Sequence, residues 1–581
     1  MKHLLKILKP YTVLLAIYVF FIGISSIIVV YSAQIRAYFV DAVLDGNHTE
    51  QAILYLLLQN LAVLFFIRFC LPMLQFHIEK HITYHITLDV EETIGKKKCT
   101  IPWAYHENPE INDKIELLGD TSEYVWLCFK GAINIISVIV STIGIFLLMA
   151  QLGIFFVMLL FLLFIPVVYF SVRAATGYYD TWQRTAKLKR FCNYQRKIMT
   201  DKEYATERIL FGYTPFFLKR WETEYQQVRT LSFQEELKGS KKMQIGGVLF
   251  CLYISILFIV MAGRLGKGTI TAGFMASIIS VFPTLMNQMI VTLSNEINQL
   301  VRSGRTVKAL VDFDALEDEE GTFDLPEQGM DFSEILFQKV SFRYSDTSKW
   351  VLQNVNLRFE KGKHYAIVGE NGAGKSTLIK LLLRLYRVTE GEILIDGINI
   401  NEIPRTKLMG LITSLFQDHQ RYYTNVSENI GLGDINHIDD LQRIMESAKK
   451  VDFHERVKAM PNGYESILGT MHNGGLDLSG GEWQKLAITR LIMSPCPIKI
   501  LDEPTAAMDA MFEYTLYQDF KKIMENNTTI SISHRLASCR NADYLYVLDH
   551  GSVLEQGNHE SLMEQKQLYY KMYMTQKEMY Q

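Results

Sequence analysis

The sequence predicts an α-helical membrane domain of six long transmembrane helices, followed by an α/β domain built around a phosphate-binding loop. Three observations carry that fold class. Long apolar runs fill the first half of the chain and stop near residue 293. The stretch Gly369-Glu-Asn-Gly-Ala-Gly-Lys-Ser-Thr377 reads G-x-x-x-x-G-K-S, between a short apolar strand-like run and a helix-like one. An acidic segment, Asp312–Gln328, separates the two regions. The expected boundaries are 1–311 for the membrane domain, 312–330 for an acidic linker and 331–581 for a P-loop nucleotide-binding domain.

Composition sets outer limits. The chain has 581 residues, 49% of them hydrophobic, with a formal charge of −3. That length calls for several domains, and the balanced charge gives no sign of a nucleic-acid partner. The seven cysteines (Cys70, Cys99, Cys128, Cys192, Cys251, Cys496 and Cys539) are scattered and form no Cys-x-x-Cys pair. They suit neither a disulfide framework nor a zinc knuckle.

The spans follow from length. Tyr11–Tyr31 is almost uninterrupted apolar sequence, and a membrane helix needs ~20 such residues. Lysines precede it as in a signal peptide, but the run is too long for one, so it reads as an uncleaved first span. Ile53–Leu71 is the second. Ile133–Val172 is about twice the required length and is broken only at Gln151-Leu-Gly153, so it reads as two spans joined by a tight turn. Ile245–Ala262 and Ile270–Leu293 complete six. The 41–50 loop carries Asp41, Asp45 and Glu50 but no lysine or arginine, whereas 173–242 is rich in both. The positive-inside rule places that segment and the N-terminus in the cytoplasm. Arg264 and Lys267 in a short outer loop oppose the rule weakly. Two cytoplasmic excursions, roughly 75–130 and 173–243, read as helices continuing beyond the bilayer.

Some features invite a sharper reading. His77, His81 and His85 share one helix face, a spacing that can bind a metal; a solvated face explains them equally simply and is the reading taken. Asn287 and Gln288 fall inside the sixth span, facing either a cavity or a neighbouring helix. Glu296 and Asn298 are expected past the bilayer edge. Asp312–Gln328 reads as a solvated linker.

In the second half, the loop glycines let successive backbone N–H groups turn toward a triphosphate. Gly369, Glu370, Asn371, Gly372, Ala373 and Gly374 form this cradle, and Thr377 closes it. Lys375 brings charge to the β- and γ-phosphates, and Ser376 offers a hydroxyl to Mg²⁺. Tyr344, after a strand-like run, is a candidate for stacking on a base. Gln417 could reach the metal or the attacking water. Leu478-Ser-Gly-Gly-Glu482 precedes a helical pattern, so Ser479, Gly480 and Gly481 offer an anion site at a helix start, or simply an N-cap. Ile498–Asp502 is an apolar strand followed by Glu503. Asp502 suits Mg²⁺ and Glu503 suits a general base. Thr529–His534 is a strand ending in a histidine placed for a γ-phosphate contact.

Taken together, these residues resemble the ATP-binding cassette family. The phosphate loop, the signature at Leu478–Glu482 and the acidic strand at Ile500–Glu503 match, as do Tyr344, Gln417, Asp509 and His534 at the aromatic, Q-, D- and H-loops. The D-loop reads Ala506-Ala-Met-Asp509 where Ser-Ala-Leu-Asp is typical. The first half is similar to the family's exporters, with six spans fused to the cassette. Family importers usually keep these parts on separate chains. The resemblance implies ATP and Mg²⁺ as cofactors, with Glu503, His534 and Gln417 catalytic and with Ser376, Gln417 and Asp502 holding the metal. It also implies that Ser479–Gly481 of one copy closes over the ATP held by Lys375 of another, so two chains must associate. Neither half-site is degenerate, which favours a homodimer. Glu207–Gly212 resembles the stretch before the second coupling helix, expected to dock near Gln417 of the partner's cassette; Tyr105-His-Glu-Asn-Pro109 resembles the first loop. The best cargo reading is a peptide, since that loop and Glu-Trp-Gln-Lys after the signature glycines resemble exporters of lantibiotic-like peptides. No cysteine-protease domain precedes the first span, so leader cleavage is not expected. A lipid or multidrug exporter, or an ATP-responsive membrane sensor that moves nothing, are the alternatives. The expected location is the cell membrane, with the ATPase in the cytoplasm.

Overall fold

The computed structural model describes residues 9–45, 48–108, 111, 115, 121–319, 321, 323–344, 349–470, 474–503, 527–533 and 536–579. Contacts divide the chain into two units. The first holds residues 1–98 and 109–316, the second 99–108 and 317–581. Residues 99–108 lie inside the range expected for the membrane domain, yet they group with the second unit.

The first unit is built of long helices. Helix α1 spans Thr12–Leu44. Helix α2, Glu50–Phe65, starts at Thr49, whose side chain caps the Ala52 N–H, and runs through one π turn at Phe66–Cys70 into α3, Leu71–Thr100. Pro72 follows that turn and has no N–H to continue the regular ladder. Helix α4 is the short Trp103–His106 of the second unit. Helices α5 (Thr121–Met149) and α6 (Ile154–Thr200) are joined by a single 3-10 turn and Gly153, whose φ of +115° allows the tight reversal expected from sequence. Next come α7 (Ala205–Phe211), α8 (Thr214–Gly266), α9 (Ala272–Met286), a π segment Asn287–Thr292 and α10 (Leu293–Asp314). Among the described residues, five helical stretches are long and apolar enough to cross a membrane. Helix α6, with its apolar first half, is the sixth long helix.

Helix α1 shows why these helices suit lipid. Val13, Phe20 and Ile27 recur every seven residues and are exposed, while Leu15, Tyr18, Ile22 and Ser26 on other faces are buried. Small residues let helices approach closely, because the apolar effect offers little drive between them in lipid. A Cβ at Gly144 would lie 2.5 Å from Val30, and one at Gly273 would lie 2.0 Å from the Ala37 carbonyl. The Gly273 N–H donates to Asp41 at 2.6 Å. Gln288, in the sixth span, accepts from Ser141 of α5, so it faces a neighbouring helix. Glu296 accepts from Asn134 at 2.9 Å.

In the second unit, β1 (Glu334–Phe342), β2 (Leu352–Glu360), β4 (Glu390–Ile395) and β5 (Ile398–Asn399) form an antiparallel sheet ordered β2-β1-β4-β5. Asp396 and Gly397, both at positive φ, make the turn between β4 and β5. A second sheet contains β3 (His364–Gly369), β6 (Ile412–Leu415), β7 (Ile498–Asp502), β8 (Thr528–Ile532), β9 (Tyr544–Asp549) and β10 (Ser552–Gly557). Its order is β10-β9-β3-β8-β7-β6, parallel except at β10. Strands β3 and β7 are buried at every residue, as a parallel sheet covered on both faces requires.

Two differences from the sequence reading stand out. In the Glu207–Trp221 stretch, Gly212 and Pro215 break the helical pattern, which from sequence suits a turn followed by a short helix. The short helix α7 instead precedes the turn: it ends at Gly212 in the left-handed region, and Pro215 opens the 53-residue α8. The acidic segment, expected to be solvated, is tied down at several points. Glu319 pairs with Arg405 at 2.6 Å and its N–H bonds the Thr100 carbonyl at 2.6 Å, while the Glu327 N–H bonds the Thr406 carbonyl. Partners distant in sequence, not local composition, order it.

Candidate nucleotide site

The site forms at the carboxyl edge of the parallel sheet. Ile367 of β3 pairs with Ile532 of β8, and Ile532 pairs with Asp502 of β7. The loop leaving β3 and the acidic end of β7 therefore share one edge, where open α/β sheets bind ligands. Two loop glycines are required by geometry. Gly369 has φ +155°, and a Cβ there would lie 2.2 Å from the Leu548 carbonyl. Gly374 has φ +100°, and its Cβ would meet Leu352 at 2.7 Å. The loop passes directly into α11, Lys375–Leu382, whose amino end carries the partial positive charge that favours a phosphate.

Lys375 is buried, and its ammonium donates to the carbonyls of Gly369 (2.8 Å) and Glu370 (2.9 Å). It thus curls back over its own loop. Burial pulls its pKa below the ordinary value, and the charges of Glu503 and Asp502 oppose that. Ser376 hydrogen-bonds Asp502. Burial above all, then the neighbouring Glu503, raises the Asp502 pKa; the Ser376 bond and Lys375 lower it. Glu503 sits at φ +50°, left-handed backbone for a residue with a Cβ, with its N–H on the Ile532 carbonyl at 3.0 Å. Such backbone strain clusters at functional sites. A buried ammonium, a bare-backbone cradle and a hydroxyl–carboxylate pair fit Mg²⁺ with a nucleoside triphosphate.

The other expected residues fall as follows. Gln417 is exposed, just after β6. Tyr344 is half-buried, and its hydroxyl lies 3.1 Å from Thr377 Oγ1. Ser479 is the N-cap of α12, Gly480–Met493, and forms a capping box with Glu482. Leu478 and Trp483 pack in a core of their own, separate from the one beneath the phosphate loop. Asp509 and His534 lie outside the described residues. Of the histidine row, His77 bonds the Met73 carbonyl and His81 meets His85 edge-on at 4.6 Å; nearby Glu79 pairs with Lys130.

Sequence reasoning missed Tyr386, which stands beside Tyr344, and quoted Glu107 only within Tyr105–Pro109, without a role at this site. Tyr386 meets the Tyr344 ring edge-on at 5.2 Å, and Glu107 accepts a hydrogen bond from the Tyr386 hydroxyl. Their pairing has no local signal, because the partners lie in remote parts of the chain.

The profile of the ABC transporter family matches residues 352–506. The chain is 28% identical over 560 residues to the subtilin transport ATP-binding protein SpaT of Bacillus subtilis, covering 94% of this chain and 89% of that protein. It is 27% identical over 571 residues to an ATP-dependent lipid A-core flippase of Albidiferax ferrireducens, covering 97% and 95%. The fold is similar to the structure of a bacterial Atm1-family ABC exporter with ATP bound, with a TM-score of 0.78 and 21% identity over 98% of both chains.

Proposed function

We infer the function from one premise: the chain is an ATP-binding cassette exporter that carries its membrane domain and its ATPase in a single polypeptide. It is a multi-pass membrane protein with the ATPase on the cytoplasmic side, and it couples ATP hydrolysis to transport. We propose that two copies form the working unit and that the cargo is a peptide.

The observation that carries the ATPase reading is the meeting of Lys375, Ser376 and Asp502 at one sheet edge. Bound Mg²⁺–ATP supplies the phosphoanhydride whose cleavage drives the cycle. Lys375 neutralises the β/γ end. Ser376 and Asp502 would hold Mg²⁺, with Gln417 as a further ligand, and Tyr344 would stack on the base. Glu503 orients water and accepts its proton, and His534 contacts the γ-phosphate. Positioning and charge do most of the work in such a reaction. Ser479, Gly480 and Gly481 of the second copy, with Asp509 at the junction, complete each site. The apolar tip Ile209–Phe211, 73–79% exposed, supports association, because so large an apolar patch at a helix turn usually marks an interface.

The cargo reading rests on likeness to a relative named for subtilin transport and on the sequence stretches Tyr105–Pro109 and Glu482–Lys485. A lipid is the second reading, since relatives named as lipid A-core flippases match the chain at comparable identity. The test is ATP-dependent uptake into inverted vesicles holding the purified protein. Accumulation of a lanthionine peptide, lost in Lys375→Ala, is expected. Uptake of lipid alone would move the assignment to the second reading, and hydrolysis with no movement of either would favour a sensor.

A further inference from the structure

We propose that Glu107 is a positioning residue for the nucleotide: through Tyr386 and Lys380 it holds both the base side and the phosphate side of the site. This rests on the reading that Tyr344 stacks on the base.

The contacts form a closed circuit within the second unit. The Glu107 carboxylate accepts from the Tyr386 hydroxyl, from Lys380 Nζ at 3.2 Å and from Trp103 Nε1 at 3.3 Å. Lys380 also lies over the Tyr386 ring, 5.7 Å from its centre. The Tyr386 ring stands edge-on to Tyr344 at 5.2 Å and beside Phe342 at 5.6 Å, and Phe342 meets Tyr344 at 5.0 Å. Two rings, Tyr386 and Phe342, thus fix the Tyr344 plane, and edge-on contacts of this kind are directional. The Tyr344 hydroxyl reaches Thr377 on α11, the helix that also carries Lys380. The circuit runs Glu107, Tyr386, Tyr344, Thr377, helix α11, Lys380 and back to Glu107.

The chemistry suits a firm hold. Hydrogen bonds to an ionised carboxylate are roughly twice as strong as neutral ones. The Tyr386 bond, with its Lys380 and Trp103 bonds, keeps the Glu107 carboxyl below the usual carboxylate range; burial and Glu107 raise the Tyr386 phenol, so the acceptor stays charged and the donor stays protonated.

The test is steady-state ATPase kinetics on the full-length protein. Glu107→Ala should raise KM for ATP about threefold to tenfold, with kcat moving less than KM. Tyr386→Phe, which keeps the ring and loses only the hydroxyl, should raise KM in the same direction, so the test survives if Glu107→Ala folds poorly. Glu107→Gln, which retains an acceptor, should recover most of the affinity. In a Tyr344→Ala background, Glu107→Ala should add little, because both act on one seat. Full additivity, or a wild-type KM in Tyr386→Phe, would overturn the proposal while leaving base stacking intact. An unchanged KM in Tyr344→Ala alone would remove the stacking reading itself.

Discussion

Ser376, the second residue of α11, hydrogen-bonds Asp502, the last residue of β7. Without nucleotide, a buried carboxylate is thus steadied by one hydroxyl and a nearby ammonium. Its pKa is raised from the ordinary 3.8, mainly by burial. The sign follows: any stability this group lends the nucleotide-free fold is full below 3.8 and is lost as pH rises through the raised value. Asp502→Asn stays neutral at every pH. The variant should melt above wild type near pH 7 without nucleotide, and the gap should shrink toward pH 4. Mg²⁺-dependent hydrolysis should vanish. A lower melting temperature at neutral pH in calorimetry would contradict this account.

Glu503→Gln should bind ATP and hardly turn it over. Loss of a general base typically slows a reaction ~10²–10⁴-fold. Two copies should then remain closed on ATP, visible as a stable nucleotide-bound dimer. Near-normal turnover in the purified variant would remove Glu503 from the mechanism.

Tyr344→Ala should weaken ATP binding by ~1–3 kcal/mol, the usual worth of an aromatic stacked on a base. ATP and GTP should lose equally, since stacking reads the ring face and not its edge. A direct binding titration with unchanged affinity would return Tyr344 to packing against Phe342 and Tyr386.

The 209–217 tip should matter for coupling and not for hydrolysis. Phe216 is 61% exposed and touches Phe217, which leans on Tyr213. As the proposed seat for a second copy, this tip would lose its apolar anchors in Phe216→Ala with Phe217→Ala. Transport, and stimulation of the ATPase by cargo, should fall about tenfold, equivalent to ~1.4 kcal/mol of coupling. Basal hydrolysis should persist. Normal uptake by the variant would place the drive elsewhere.

What the sequence revealed follows from the range of each signal. The loop at Gly369–Thr377, the buried strands at His364 and Ile498, and the reversal at Gly153 are local patterns in which neighbouring residues dictate backbone. They were legible, as were Asp502 and Lys375. The pairing of Glu107 with Tyr386 was not, because the two meet across 279 positions. The same limit hid the pairing of Glu319 with Arg405. Around Gly212 the breakers were evident, but on which side the short helix lay depended on how far α8 propagates from Pro215.

The capping box at Ser479 has a consequence for the order of events in the proposed dimer. The Ser479 hydroxyl lies 2.9 Å from Glu482 Oε2, and the same carboxylate oxygen takes the Ser479 N–H at 2.8 Å. The helix thus carries its own tethered anion at the spot where another molecule's phosphate is to arrive. A lone chain keeps that helix end satisfied while it waits. In the proposed dimer a phosphate arriving at this helix end would meet that carboxylate, whose other oxygen, Oε1, already lies 2.5 Å from Arg456.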